Sequence, residues 1–122
     1  MKVSHTWIEN NIMIEVQGKL DLKVLLEANA FMLTSPKFDL MSYQIFNFLE
    51  VESLDISHNE IKVFSMLQKG TMRWNNSVKI AMVAINPQII NGFGFYFSEM
   101  RLAGLECELF GNIDEALHWC TG

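Results

Sequence analysis

Charge, proline and cysteine are all scarce in this chain. Charged residues fill only 19% of its 122 positions, against about 25% in an ordinary soluble domain. Two prolines and two cysteines leave no room for a proline-rich linker or a disulfide-stapled scaffold. Basic residues are outnumbered as well, and nine Lys and Arg against fourteen Asp and Glu give a net charge of −5. That sign repels phosphate backbones and anionic headgroups, so nucleic acid is not an expected partner. Met1 to Ile8 lacks the apolar core of a signal peptide. The longest apolar tract, Ile89 to Phe97, is broken by Asn91, Gly92 and Gly94 and falls far short of the roughly 18 residues of a membrane span. A cytoplasmic protein with no integral membrane segment is expected.

Catalytic patterns are also missing. His5, His58 and His118 belong to different elements, and neither a His-x-x-x-His nor a Cys-x-x-Cys spacing occurs, which argues against a metal site. His118 and Cys120 do not face each other on a helix and make no nucleophile and base pair. Glu106 and Glu108 read as the wet face of a strand, and Asp114 and Glu115 suit the first turn of a helix, where carboxylates meet the positive end of the dipole. Gly92-Phe93-Gly94 lacks the third glycine of a dinucleotide loop. The reading is of no enzyme, no catalytic residue, no metal and no cofactor. Cys107, in a strand pattern, and Cys120, on the inward side of a helix, read as buried reduced thiols.

What is abundant is apolar surface, at 50% of residues, distributed in a strand and helix rhythm over one domain, residues 1–122. Ser4 to Ile8 and Ile12 to Val16 form a hairpin about Glu9-Asn10-Asn11, whose Asn pair tolerates positive φ. Gly18-Lys19-Leu20-Asp21 punctuates, and Leu22, Leu25, Leu26, Asn29 and Leu33 recur at helical spacing as far as Thr34, behind a capping Asp. Pro36 ends that helix. Tyr43 to Val51 is apolar on both alternating faces, as a central strand is. Ser57-His58-Asn59-Glu60 has the form of a capping box, opening a helix to Gly70 with Ile61, Phe64 and Leu67 as its apolar stripe, widened by Val63 and Met66. Val78 to Ile85 is a strand. Asn86-Pro87 starts a third helix with Ile89, Phe93, Tyr96 and Met100 on one stripe, closed by Gly104. Leu105 to Phe110 reads as an edge strand, and Ile113 to Cys120 as a final helix behind Asn112. Helices between strands imply parallel neighbours in a mixed sheet.

Several short signatures then add up. Gly18-Lys19-Leu20, the strand Lys79-Ile80-Ala81-Met82-Val83-Ala84, Phe93-Gly94, and Phe110-x-x-x-Asp114-Glu115-Ala116-Leu117-x-Trp119 together resemble the SpoIIAA-like branch of the STAS domain families, over nearly the whole chain. The resemblance implies an α/β fold, a single-domain STAS-like mixed β-sheet of four to five strands with about four helices, related to anti-sigma-factor antagonists and to CRAL-TRIO lipid carriers. In those antagonists an Asp-Ser-Ser-Gly turn carries, on its second Ser, the phosphoryl group placed by a partner kinase. Here that stretch reads Asp55-Ile56-Ser57-His58, with the Asp and second Ser kept and the first Ser and the Gly absent. Ser57 is therefore either a possible phosphorylation site, favoured by the helix dipole, or simply a helix cap.

One feature exceeds what folding requires. Phe93, Phe95, Tyr96 and Phe97 sweep about 400° of helix and cannot all face one sheet. With Met100, Met82, Met72 and Trp74 they are expected to line an apolar pocket, to cover a homodimer surface, or to fill a thick core partly roofed by the last helix. Two functions follow. One is a non-enzymatic regulatory or protein-interaction module, dimeric through the aromatic helix. The other is a carrier or sensor of a small apolar, lipid-like ligand bound near the helix 89–101.

Overall fold

The computed structural model describes residues 2–122. Five strands form one sheet in the order β1(Lys2–Ile8), β2(Asn11–Asp21), β3(Tyr43–Asp55), β4(Lys79–Val83) and β5(Cys107–Phe110). β1 and β2 pair antiparallel, and every later neighbour is parallel. Each parallel step moves the same way across the sheet, so right-handed crossovers stack all the connecting helices on one face. Those helices are α1(Leu22–Leu33), α2(His58–Thr71), α3(Pro87–Gly92) and α4(Gly94–Leu102). α5(Ile113–Thr121) follows the last strand, is bound by no crossover, and packs on the opposite face against β3, β4 and β5. This is the mixed sheet and α/β arrangement expected from the rhythm of the sequence.

The central strand explains its own composition. From Tyr43 to Phe48 every residue is buried. Phe46 and Phe48 join the core beneath α1 to α4, whereas Tyr43 and Ile45 join the smaller core beneath α5. Alternating side chains thus meet helices on both sides, which is why the run shows no polar alternation.

Several details depart from the sequence reading. The turn between β1 and β2 places its positive φ on Glu9, at 57°, rather than on either Asn. β2 continues through Gly18, at φ 87°, to Asp21, and its register with β3 shifts just after Gly18, where Glu52 of β3 is the extra residue. The third helix is two helices, broken at Phe93, whose backbone leaves helical geometry and caps α4 without a side-chain bond. The last helix does not roof the aromatic helix, since the two lie on opposite faces of the sheet.

α2 differs in rotation. Its buried residues are Ile61, Phe64, Ser65, Gln68 and Thr71, while Val63, Met66 and Leu67 face outward. Polar groups occupy the inner stripe because they have partners there. Gln68 Nε2 donates to Asn29 Oδ1 at 2.7 Å, and Gln68 Oε1 accepts from Gln44 Nε2 at 3.2 Å and from Tyr96 Oη at 2.9 Å. Asn29 Nδ2 donates in turn to Thr71 Oγ1 at 3.2 Å. The network ties α1, α2, α4 and β3 together out of water, where partnered polar groups are tolerated and unpartnered ones are costly.

Candidate functional site

The carboxyl ends of parallel strands collect the starts of the helices that follow them, and ligands and partners are commonly bound there. In this chain each such start is capped. Asp21 Oδ1 accepts from the Val24 amide at 3.0 Å, Ser57 Oγ from Glu60 at 3.1 Å, Asn86 Oδ1 from Gln88 at 2.9 Å, and Asn112 Oδ1 from Glu115 at 2.8 Å. At Ser57 the box is complete, because the Glu60 carboxylate also accepts from the Ser57 amide at 2.9 Å. Ser57 is exposed. Its hydroxyl stands at the positive end of a 14-residue helix, with the Glu60 carboxylate already in the place an anion prefers.

Around Ser57 the surface is built by β2, β3, α2 and α4. Asp55, at the end of β3, pairs with Lys19 of β2 at 3.0 Å, which raises the lysine's pKa through the hydrogen bond and then the charge. His58 meets the Phe95 ring edge-on at 5.4 Å, and Lys62 Nζ lies 5.7 Å from the same ring. Leu54 packs so tightly on Gly92 that a side chain at position 92 would collide with it. This contact packs the end of α3 on β3, and beyond the break Phe95 of α4 meets His58.

The residues singled out in the sequence divide between core and surface. Phe93, Tyr96, Phe97, Met100, Met72 and Met82 are buried. The break at Phe93 lets that aromatic cluster turn inward, with Tyr96 stacked on Phe64 at 5.3 Å and Phe93 against Phe48 at 5.8 Å. Phe95 is half-buried and Trp74 is exposed. Ser57 and Phe95, noted for unrelated reasons in the sequence, are brought onto one surface by His58. The sequence reading missed His58, Lys62 and Leu54, and only the S-x-x-E start next to His58 hinted at them. Trp74 lies at the other end of α2. Near that end Lys69, Met72, Arg73, Asn76, Ala103 and Leu105 line an open groove of about 390 Å³.

Other chemistry is sparse. Among the described residues no group of three or more His, Cys, Asp and Glu side chains is placed to hold a metal. Cys107 and Cys120 are free and buried. Burial pushes the Cys107 thiol up to about 12 and that of Cys120 up to about 11, so neither is a nucleophile near neutrality. Among the described residues no helix is long and apolar enough to cross a membrane.

No protein-family model matches the chain, and no curated protein sequence does. Solved structures do match. The anti-sigma factor antagonist SpoIIAA in its unphosphorylated form is 14% identical, with 99% of each chain covered and a TM-score of 0.67. An anti-sigma factor antagonist from Mycobacterium paratuberculosis is 15% identical over 99% of this chain and 94% of that one, with a TM-score of 0.69. A protein from Shewanella loihica with a SpoIIAA-like fold is 12% identical over 98% and 92%, with a TM-score of 0.57. Likeness at such low identity is one of architecture, and the architecture of this chain is the SpoIIAA-like, STAS-like α/β fold.

Proposed function

We propose that this chain is a non-enzymatic regulatory module that binds a protein partner through the surface formed by Ser57, His58, Lys62 and Phe95. The observation that carries the reading is the contact between His58 and Phe95 at 5.4 Å, which joins an exposed capping serine to a half-buried aromatic ring at the carboxyl edge of the sheet. Aromatic rings flanked by polar and cationic groups are what interface centres are made of. The two anti-sigma factor antagonists of like fold give the reading its class.

A phosphoryl group on Ser57 is the natural control. It would gain the helix dipole and the nearby Lys62 and His58, while displacing the Glu60 carboxylate from its bond to the Ser57 amide. Modification therefore rewrites the same surface that the partner reads. Self-association through Phe95 is a form of the same proposal. An apolar ligand near residues 89–101 is less well supported, because Ile89, Phe93, Tyr96 and Met100 fill the core between α2 and the sheet.

The test is site-specific photo-crosslinking in cells, with the reactive group at His58 in one variant and at exposed Asp114 on the opposite side of the sheet in another. A discrete protein adduct at His58, absent at Asp114 and weakened by Phe95→Glu, is expected. Adducts that are the same at both positions, or none at either, would end the proposal. Sedimentation of the wild type and of Phe95→Glu reports whether the adduct is a second copy.

A further inference from the structure

The two edges of the sheet are protected unequally. β5 closes one edge with only four residues, one of them Glu108. Because the carbonyl of Glu106 accepts from Ile80 of β4, the Cys107 carbonyl faces outward, and there Arg101 Nε donates to it at 3.1 Å. Short length, charge and a capped carbonyl keep a strand edge from pairing with another chain. β1, at the other edge, has none of these. Its seven residues include no proline and no bulge, its one fixed charge is Lys2, and no other element of the described chain bonds its free side.

Hairpin geometry fixes which groups are free. The two-residue turn Glu9-Asn10 is closed by the pair Ile8 and Asn11, which exchanges both of its hydrogen bonds, and bonded and unbonded pairs alternate from there. The amides and carbonyls of Lys2, Ser4, Thr6 and Ile8 therefore face β2. Those of Val3, His5 and Trp7 point away from the sheet. The same three side chains lie on the face beneath α1, where Phe31 stacks on His5 at 4.1 Å and on Trp7 at 5.8 Å yet stays 42% exposed. An exposed aromatic ring thus stands beside a row of unpaired backbone groups.

The charges select the occupant. Residues 2–10 hold two fixed charges, Lys2 at one end and Glu9 at the other, and neither forms an ion pair among the described residues. Antiparallel pairing of two copies about a two-fold axis at His5 is the register that uses all the free groups. Val3 then meets Trp7, His5 meets His5 and Trp7 meets Val3, with about six backbone hydrogen bonds. Lys2 of each copy falls opposite Ile8 of the other, one residue from Glu9, so both ends attract. Lys37, whose Nζ lies 4.8 Å from the Trp7 ring, stays away from its equivalent, because the two Trp7 residues are offset by about 14 Å along the strands.

We infer that β1 is a self-association edge, through which two copies of this chain join their five-stranded sheets into one continuous sheet and cover Phe31 at the junction. β1 and Phe31 share no residue with the Ser57 surface, so the inference does not depend on the function proposed for that surface.

Sedimentation of the wild type up to about 500 μM, a range suited to a small interface, should show conversion to two subunits. His5→Pro removes an outward amide and no bond to β2, which an edge strand tolerates, and should weaken the dimer at least about tenfold with an unchanged far-UV circular dichroism spectrum. Lys2→Glu and Glu9→Lys should each weaken it roughly fivefold. An equimolar mixture of those two variants should associate as the wild type does, since each Lys again meets a Glu across the junction. Phe95→Glu should dimerise unchanged. A wild type that stays monomeric over the whole range, a dimer insensitive to the β1 substitutions, charge variants that mixing does not rescue, or a dimer that Phe95→Glu dissociates would each overturn the inference.

Discussion

The phenol of Tyr96 donates to Oε1 of Gln68 across 2.9 Å, joining α4 to α2 where both side chains are wholly buried. Tyr96 ionises only well above its ordinary range, because burial disfavours the phenolate. Removing the two partners should have unequal effects. Tyr96→Phe leaves Gln68 Oε1 with the Gln44 donor and should cost about 1 kcal/mol, whereas Gln68→Ala strands Asn29, Gln44 and Tyr96 together and should cost roughly 3 kcal/mol or more. Urea denaturation of the two variants checks the order, and equal costs would show that the network is not held by Gln68.

Ser57 has a structural role that must be separated from any regulatory one. Ser57→Ala removes a bond to the Glu60 amide and should cost about 1 kcal/mol, while Ser57→Asp keeps the cap and should lie close to wild type. Chemical denaturation of the pair decides it. A binding change in Ser57→Asp without a stability change would then belong to the surface and not to the helix.

His5 makes the fold sensitive to acid. Its ring stacks on Phe31 at 4.1 Å, its Nε2 is buried with no partner, and burial lowers its pKa below 6.5. The folded state therefore favours neutral His5. That stability is present above pH 6.5 and is lost as pH falls through the depressed folded value. The thermal midpoint should drop between about pH 7 and pH 5 in the wild type and drop less in His5→Phe. Parallel curves for the two proteins would assign the acid sensitivity elsewhere.

The buried thiols act at the opposite end of the scale. Cys107 is raised from 9.0 to about 12, first by burial and also by Glu108, against the lowering effect of Arg101. Its contribution is complete below pH 9.0 and declines as pH climbs toward about 12. Cys107→Val should flatten that part of the alkaline stability profile. Iodoacetamide at about pH 8 should label neither thiol until the protein unfolds, and rapid labelling of the native protein would contradict the burial.

Much of the fold was legible because it rests on local rules. The Ser57–Glu60 box, the Asp21 and Asn112 caps, the inward stripe Ile89, Phe93, Tyr96 and Met100 and the edge position of β5 all follow from spacing and side-chain chemistry within a few residues. Gly18 misled because a glycine before a helix reads as a strand end, and only pairing with β3 shows the strand running on past it through a register shift. α2 misled because periodicity assigns Leu67 inward and cannot foresee that Gln68 will find Asn29, Gln44 and Tyr96, residues distant in sequence.

By itself the sequence determined the alternation of strands and helices, the mixed sheet it implies, the helix caps and the place of the aromatic helix, since these depend on periodicity and on neighbours a few residues away. Tertiary structure alone decided which apolar side chains are spent on the core and which are left to meet something else. The four aromatics from Phe93 to Phe97 demanded more than one face, and a helix break at Phe93 turned three of them into the core. Part of the apolar surplus that remains outside lies on α2, where a buried polar network rotates Val63, Met66 and Leu67 outward. That rotation is set by contacts across 24 to 39 residues of sequence, beyond the reach of any local pattern.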